Sequence, residues 1–165
     1  MKVFGVIGWK NSGKTTLMER LVAEITARGL TVSTIKHAHH GVDVDQPGRD
    51  TFRHRQAGAQ QVILSSPVRV AVMSELRGAP EPGLDNLLER LAPVDLVLVE
   101  GFKRERHHKI EAHRSETGQP LIAPGDGTVR AVASDAVSDL AYDGRVFDLD
   151  DIAAIADFVL SEAGA

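Results

Sequence analysis

The sequence predicts an α/β domain with a mainly parallel sheet, and two observations carry that expectation. Short apolar runs rich in β-branched residues alternate with segments of helical period along the 165 residues. The first of these runs, Val3 to Ile7, passes into Gly8-Trp9-Lys10-Asn11-Ser12-Gly13-Lys14-Thr15, a glycine-rich turn between a strand and a helix.

The elements follow in order. Val3 to Ile7 reads as a buried strand. Lys14 to Arg28 reads as a helix, because Leu17, Met18, Leu21, Val22 and Ile25 share one face, and Gly29 suits its end. Thr31 to Ile35 is a second strand, completing a βαβ unit with a right-handed crossover. Residues 37–49 read as a polar loop and Asp50 to Ala57 as a short helix. Gln61 to Leu64 and Arg69 to Met73 read as an added antiparallel hairpin turning at Ser65-Ser66-Pro67. Leu84 to Leu91 is a helix by its leucines, ended by Pro93. Asp95 to Val99 is the most apolar strand and belongs inside the sheet. Val129 to Ala133 is a further strand, and Ile152 to Leu160 is a closing helix. Neither a linker nor a repeat interrupts the pattern, so a single domain over residues 1–165 is expected.

Composition narrows the function classes. Hydrophobic residues at 42% and charged residues at 25% describe a globular chain rather than a disordered one. A net charge of −4 argues against general attraction to nucleic acid. The run Lys103, Arg104, Arg106, His107, His108 and Lys109 reads equally as a local basic patch or as a solvated loop. The absence of cysteine removes disulfides, thiolate zinc sites and thiol catalysis, and it fits a reducing cytoplasm. No stretch approaches the ~20 apolar residues that span a bilayer, and the apolar start is too short for a signal peptide. A cytoplasmic protein without membrane contact is therefore expected.

Gly8, Gly13, Lys14 and Thr15 match G-x-x-x-x-G-K-[ST] in full, a Walker A phosphate loop with strand before and helix after. The expected fold is thus that of P-loop NTPases. Glycines let successive N–H groups turn inward toward an anion, and the helix start adds its positive dipole end. The expected nucleotide-binding set is Gly8, Asn11, Ser12, Gly13, Lys14, Thr15 and Thr16, with Lys14 on the β- and γ-phosphates. The Thr15 hydroxyl suits magnesium, and a second acidic group should end a neighbouring strand. Glu100 fills that place after the apolar strand, directly or through water; its bland alternative is an ion pair with Lys103. Asp95 lies at the wrong end of the same strand.

Further blocks extend the pattern: Ile35-Lys36-His37-Ala38-His39-His40, Asp43-Val44-Asp45-Gln46-Pro47-Gly48-Arg49-Asp50, Ala57-Gly58-Ala59, Leu98-Val99-Glu100-Gly101-Phe102-Lys103 and Ala131-Val132-Ala133-Ser134-Asp135. In their order and spacing, nearly end to end, they resemble the MobB family of molybdopterin-guanine dinucleotide biosynthesis proteins. The resemblance implies a GTP-binding homodimer with weak GTPase activity that assists molybdenum cofactor maturation. It also implies a partner, the guanylyltransferase that attaches GMP to molybdopterin, with molybdopterin itself as a further candidate ligand. Related GTPases of metal-centre assembly often carry a second lysine early in the loop. Lys10 stands one place off that position and reads as an exposed loop lysine.

Other constellations leave alternatives open. His37, His39 and His40 with Asp43 and Asp45 suit nickel or zinc by donor type. The same loop follows the second strand, where Asp43 or Asp45 suits the orientation of water; Asp45 joins Lys14 as a candidate catalytic residue. A docking surface or a plain solvated loop fits equally. Arg49, Arg53 and Arg55 suit an anionic cofactor or simply a charged helix face. Asn-Lys-x-Asp, the usual guanine motif, is absent, and Asp135 is the candidate acceptor for guanine N1–H and the 2-amino group. The competing functions are a small-molecule kinase using residues 103–114 as a basic lid, a nickel-insertion GTPase, and a binding module with negligible turnover.

Overall fold

The structure, a computed structural model, describes residues 1–38, 41 and 43–165. In chain order its elements are β1 (Lys2–Ile7), α1 (Lys14–Ala27), β2 (Val32–Lys36), α2 (Asp50–Gln56), β3 (Gln61–Ser65), β4 (Val70–Ser74), α3 (Leu84–Leu88), β5 (Leu96–Glu100), β6 (Lys109–His113), β7 (Val129–Ser134), β8 (Val146–Asp148) and α4 (Ile152–Ala163). They group into two compact units, residues 1–37 with 84–165, and residues 38–83. No helix among the described residues is long and apolar enough to cross a membrane.

The larger unit is a six-stranded sheet in the order β2-β5-β1-β6-β7-β8, parallel throughout. Both faces of β1 and β5 are buried along most of their length, which is why these two strands are nearly continuous apolar runs. On β1, alternation sends Phe4 and Val6 to one face and Val3 and Ile7 to the other. The first face packs against α1 through Leu17, Leu21 and Ile25 and against α4 through Ile155 and Val159, all at most 2% exposed. Phe4 meets Phe158 edge to face at 6.1 Å. The opposite face is covered in part by Leu84 over Ile35, Val97 and Val99. β5 is buried at every residue and lies between β2 and β1, as its composition predicts. Asp95, at its N-terminal end, accepts bonds from the Thr31 amide at 2.8 Å and hydroxyl at 2.6 Å. Those bonds, the hydroxyl's first, hold its carboxyl below the ordinary range.

Two strands escape the sequence reading. β8 is three residues long at the sheet edge, too short to show a period. β6 falls within the segment read as a basic loop or lid, yet it lies inside the sheet between β1 and β7. Its charged residues Lys109 and Glu111 are fully buried, so the expectation of a solvated loop fails at this strand. Groups outside the strand satisfy both. Lys109 Nζ donates to the Thr128 hydroxyl at 2.7 Å and to the carbonyls of His107 and Glu105. Glu111 accepts from the Ile122 amide at 2.8 Å and the Ala123 amide at 2.8 Å. The helix expected over residues 84–91 stops at Leu88, and i→i+3 bonds carry the chain to Leu91.

The smaller unit holds α2 and the antiparallel hairpin β3-β4, whose register pairs Ile63 with Val72. Arg55, nearly buried, bonds Asp43 at 2.8 Å, Asp45 at 3.2 Å and Glu75 at 2.7 Å. Val62 is buried, whereas Ile63, Leu64, Val70 and Val72 are exposed apolar residues.

Two outcomes follow. Glu111→Ala strands one buried and one partly buried amide and should lower unfolding stability by roughly 2–4 kcal/mol in urea titration; unchanged stability would contradict the assigned role. Burial, with Lys109 adding repulsion, pushes the His107 imidazole down from 6.5 to about 4, against weak support from Asp126. The folded state thus takes up this proton less readily than the unfolded chain. Its contribution is intact above pH 6.5 and is lost as pH falls toward 4. His107→Gln should flatten stability between pH 7 and pH 5 relative to the wild type; parallel pH curves would refute this.

Candidate functional site

The turn from β1 into α1 is shaped by two glycines that no other residue replaces without strain. Gly8 has φ +149°, and a Cβ there would lie 2.4 Å from both the Ala112 carbonyl oxygen and Ser12 Oγ. Gly13, at φ +88°, is the N-cap of α1 and contributes no side-chain cap. The first-turn amides of α1 are therefore left for an anion from outside the helix. Asn11 also adopts a left-handed φ of 66°. Ser12 is 2% exposed, and its hydroxyl finds no hydrogen-bond partner among the described residues. A buried orphan hydroxyl inside this loop fits a phosphate-binding cradle. Thr15 and Thr16 are exposed at the helix start.

Lys14 folds back over the loop, donating to the Trp9 carbonyl at 2.5 Å. Burial lowers its pKa, while Glu100 pushes in the opposite direction. The Trp9 indole donates to the Pro120 carbonyl at 2.7 Å, and Lys103 Nζ sits 4.2 Å from its ring centroid. Lys10 is exposed, in agreement with the sequence reading.

Parallel pairing brings the second half of the site into place. Val6 pairs with Glu100 across β1 and β5, so Glu100 ends its strand level with the loop. The Thr15 hydroxyl donates toward the Glu100 carboxylate at 3.2 Å and 3.4 Å. Glu100 is buried and pairs with Lys36 at 3.2 Å, while Lys103 turns to Trp9 instead. A hydroxyl and a carboxylate at this spacing are the oxygen donors that a divalent cation such as magnesium takes beside a triphosphate.

The sequence does not mark Lys36 as a site residue, and it marks Arg114 only as the end of the basic segment 103–114. Lys36 aligns with Glu100 in the β2–β5 register and lies 3.4 Å from the Thr15 hydroxyl. Only the strand pairing reveals it. Arg114 follows β6 and reaches the loop at Gly13. Asp135, just after β7, accepts from the Ser115 amide at 2.9 Å and faces Arg114 at 3.9 Å. Beside it a cavity of about 510 Å3 is lined by His113, Ser115, Pro120, Leu121, Ala136 and Leu140, among others.

Asp45 belongs to the smaller unit, where it accepts from Thr51 at 2.9 Å, the Gln46 amide at 3.0 Å and Arg55. His37 stacks on Phe102 with ring centroids 4.6 Å apart. His39 and His40 lie outside the described residues, and among the described residues no group of three metal-ligating side chains occurs.

Gly8→Ala should cost about 1–3 kcal/mol of stability in urea titration, because the new Cβ meets backbone. Wild-type stability in that variant would show that the loop is not closed as described.

Known proteins share this architecture. The family model "MobB: Molybdopterin guanine dinucleotide synthesis protein B" matches residues 3–135. A molybdopterin-guanine dinucleotide biosynthesis adapter protein from Haemophilus influenzae is 44% identical over 160 residues, covering 95% of this chain and 86% of the relative. The Escherichia coli protein of that name is 42% identical over 155 residues, covering 92% and 87%. Among solved structures, a MobB homolog from Bacillus stearothermophilus superposes with a TM-score of 0.72 at 30% identity, covering 99% of each chain. Bacillus subtilis MobB gives 0.77 at 26% identity, covering 98% of each. With the family model spanning most of its length and relatives above 40% identity, this chain belongs to the MobB family.

Proposed function

We propose that the protein binds GTP with Mg2+ at the phosphate loop and hydrolyses it slowly. In this reading it acts in the cytoplasm as an adapter for the guanylyltransferase that joins GMP to molybdopterin. The observation that carries the nucleotide reading is the contact of Thr15 with Glu100 beside an uncapped, glycine-shaped helix start. The adapter role rests on the family and on the names that the two relatives carry.

Within this reading the loop amides from Asn11 to Thr16 bind the phosphates, and Lys14 leaves the Trp9 carbonyl to neutralise them. Magnesium, held by Thr15 and Glu100, supplies charge neutralisation at the phosphate oxygens. Asp135 reads the guanine edge, and the neighbouring cavity is of a size for a fused-ring base or a pterin. Asp45 is the candidate carboxylate for orienting water, and within its own unit it accepts from Thr51 and Arg55. A homodimer is supported by the exposed apolar residues of β3 and β4.

The kinase alternative loses one support, since residues 109–113 form an inner strand rather than a lid.

Trp9 is the sole tryptophan and lies within the loop, where its carbonyl accepts from Lys14, so its fluorescence reports on binding. Titration with GTP and Mg2+ should change it saturably, and ATP should have little effect. Lys14→Ala should weaken GTP at least about 100-fold, or ~2.7 kcal/mol. A preference for ATP would overturn the guanine assignment. Calorimetry covers a silent ring, and stimulation of the guanylyltransferase by the protein tests the adapter role.

A further inference from the structure

We infer that Arg114 is a second phosphate-binding cation of the nucleotide site, approaching the loop from β6 on the side of Gly13. This inference rests on the nucleotide reading above and adds a residue to it.

Position comes first. Ile7 pairs with Glu111 across β1 and β6, so β6 ends beside the turn that leaves β1. Arg114 is the next residue after β6, and its carbonyl is held by the Thr117 hydroxyl at 2.8 Å and the Thr117 amide at 3.1 Å. From there its guanidinium lies against the helix start. A Cβ built on Gly13 would stand 3.0 Å from Arg114 Nε and 3.7 Å from Nη2.

Charge supplies the second argument. The start of α1 is the positive end of a helix dipole and already carries Lys14, so a further cation there is unfavourable unless an anion joins it. The carboxylate facing Arg114 is Asp135, at 3.9 Å, which is beyond hydrogen-bond distance. The other oxygen of Asp135 is taken by the Ser115 amide. Arg114 is 38% exposed and thus open to a ligand. The orphaned Ser12 hydroxyl, buried in the same loop, independently points to an anion at this place. A guanidinium is suited to phosphate oxygens because its planar fork donates two parallel bonds. Gly13 is the residue that leaves room for that fork against the backbone.

The test compares wild type, Arg114→Ala, Arg114→Lys and Lys14→Ala by calorimetry with Mg2+, using GTP and inorganic triphosphate. Arg114→Ala should weaken both ligands by at least about tenfold and reduce the dependence of affinity on salt. Arg114→Lys should recover part of the loss, a rescue that a purely packing role would not give. The inference is overturned if Arg114→Ala leaves both affinities unchanged while Lys14→Ala abolishes them. It is also overturned if GTP weakens and triphosphate does not, which would place Arg114 at the base or ribose. Unchanged binding in Lys14→Ala would instead overturn the nucleotide reading itself, and this inference with it.

Discussion

The pairing of β1 with β5 is the constraint on which the site depends. The loop grows out of β1, and Glu100 ends β5, so only a parallel alignment brings both to the same edge of the sheet. Parallel pairing requires a crossover, and the chain between β1 and β5 supplies it, beginning with α1 and with β2, which pairs with the other side of β5. Burial of both faces then fixes register, because a one-residue slip would send Phe4 and Val6 out of the core formed with α1 and α4. The Thr15–Glu100 contact is thus a consequence of core packing.

A second consequence is the crowding of cations at this edge. Lys14, Lys36 and Arg114 reach it from the loop, β2 and β6, while Glu100 is the carboxylate among them that is buried. Such a distribution favours an anionic ligand over an empty surface. Polar groups are also buried inside the sheet. Lys109 and Glu111 on β6 are each held by bonds from outside their strand, and Glu111 thereby positions residues 122–123 beside the wall of the cavity next to Asp135.

Legibility of the sequence divides along physical lines. β1, β2 and β5 were readable as short local apolar runs, α1 by its helical period, and the loop because its glycines have a fixed spacing. Glu100 was readable because it ends an apolar run. β6 was not, since Lys-Ile-Glu-Ala-His shows charge where burial is complete, and the groups that satisfy that charge lie 11 to 19 residues away or on flanking carbonyls. Lys36 and Arg114 were hidden for a related reason: each reaches the site through strand pairing rather than chain proximity. Arg55, read as a candidate for an anionic cofactor, bonds three carboxylates of its own unit.

The most direct test of the account is the magnesium dependence of GTP affinity in the wild type and in Glu100→Gln. The amide keeps the shape of the side chain and removes its charge, so the loop amides and Lys14 remain available. The account predicts that Mg2+ strengthens GTP binding in the wild type and that the variant loses most of this gain while retaining metal-free binding. An equal gain from Mg2+ in both proteins would contradict the pairing of Thr15 and Glu100 as the metal-holding oxygens.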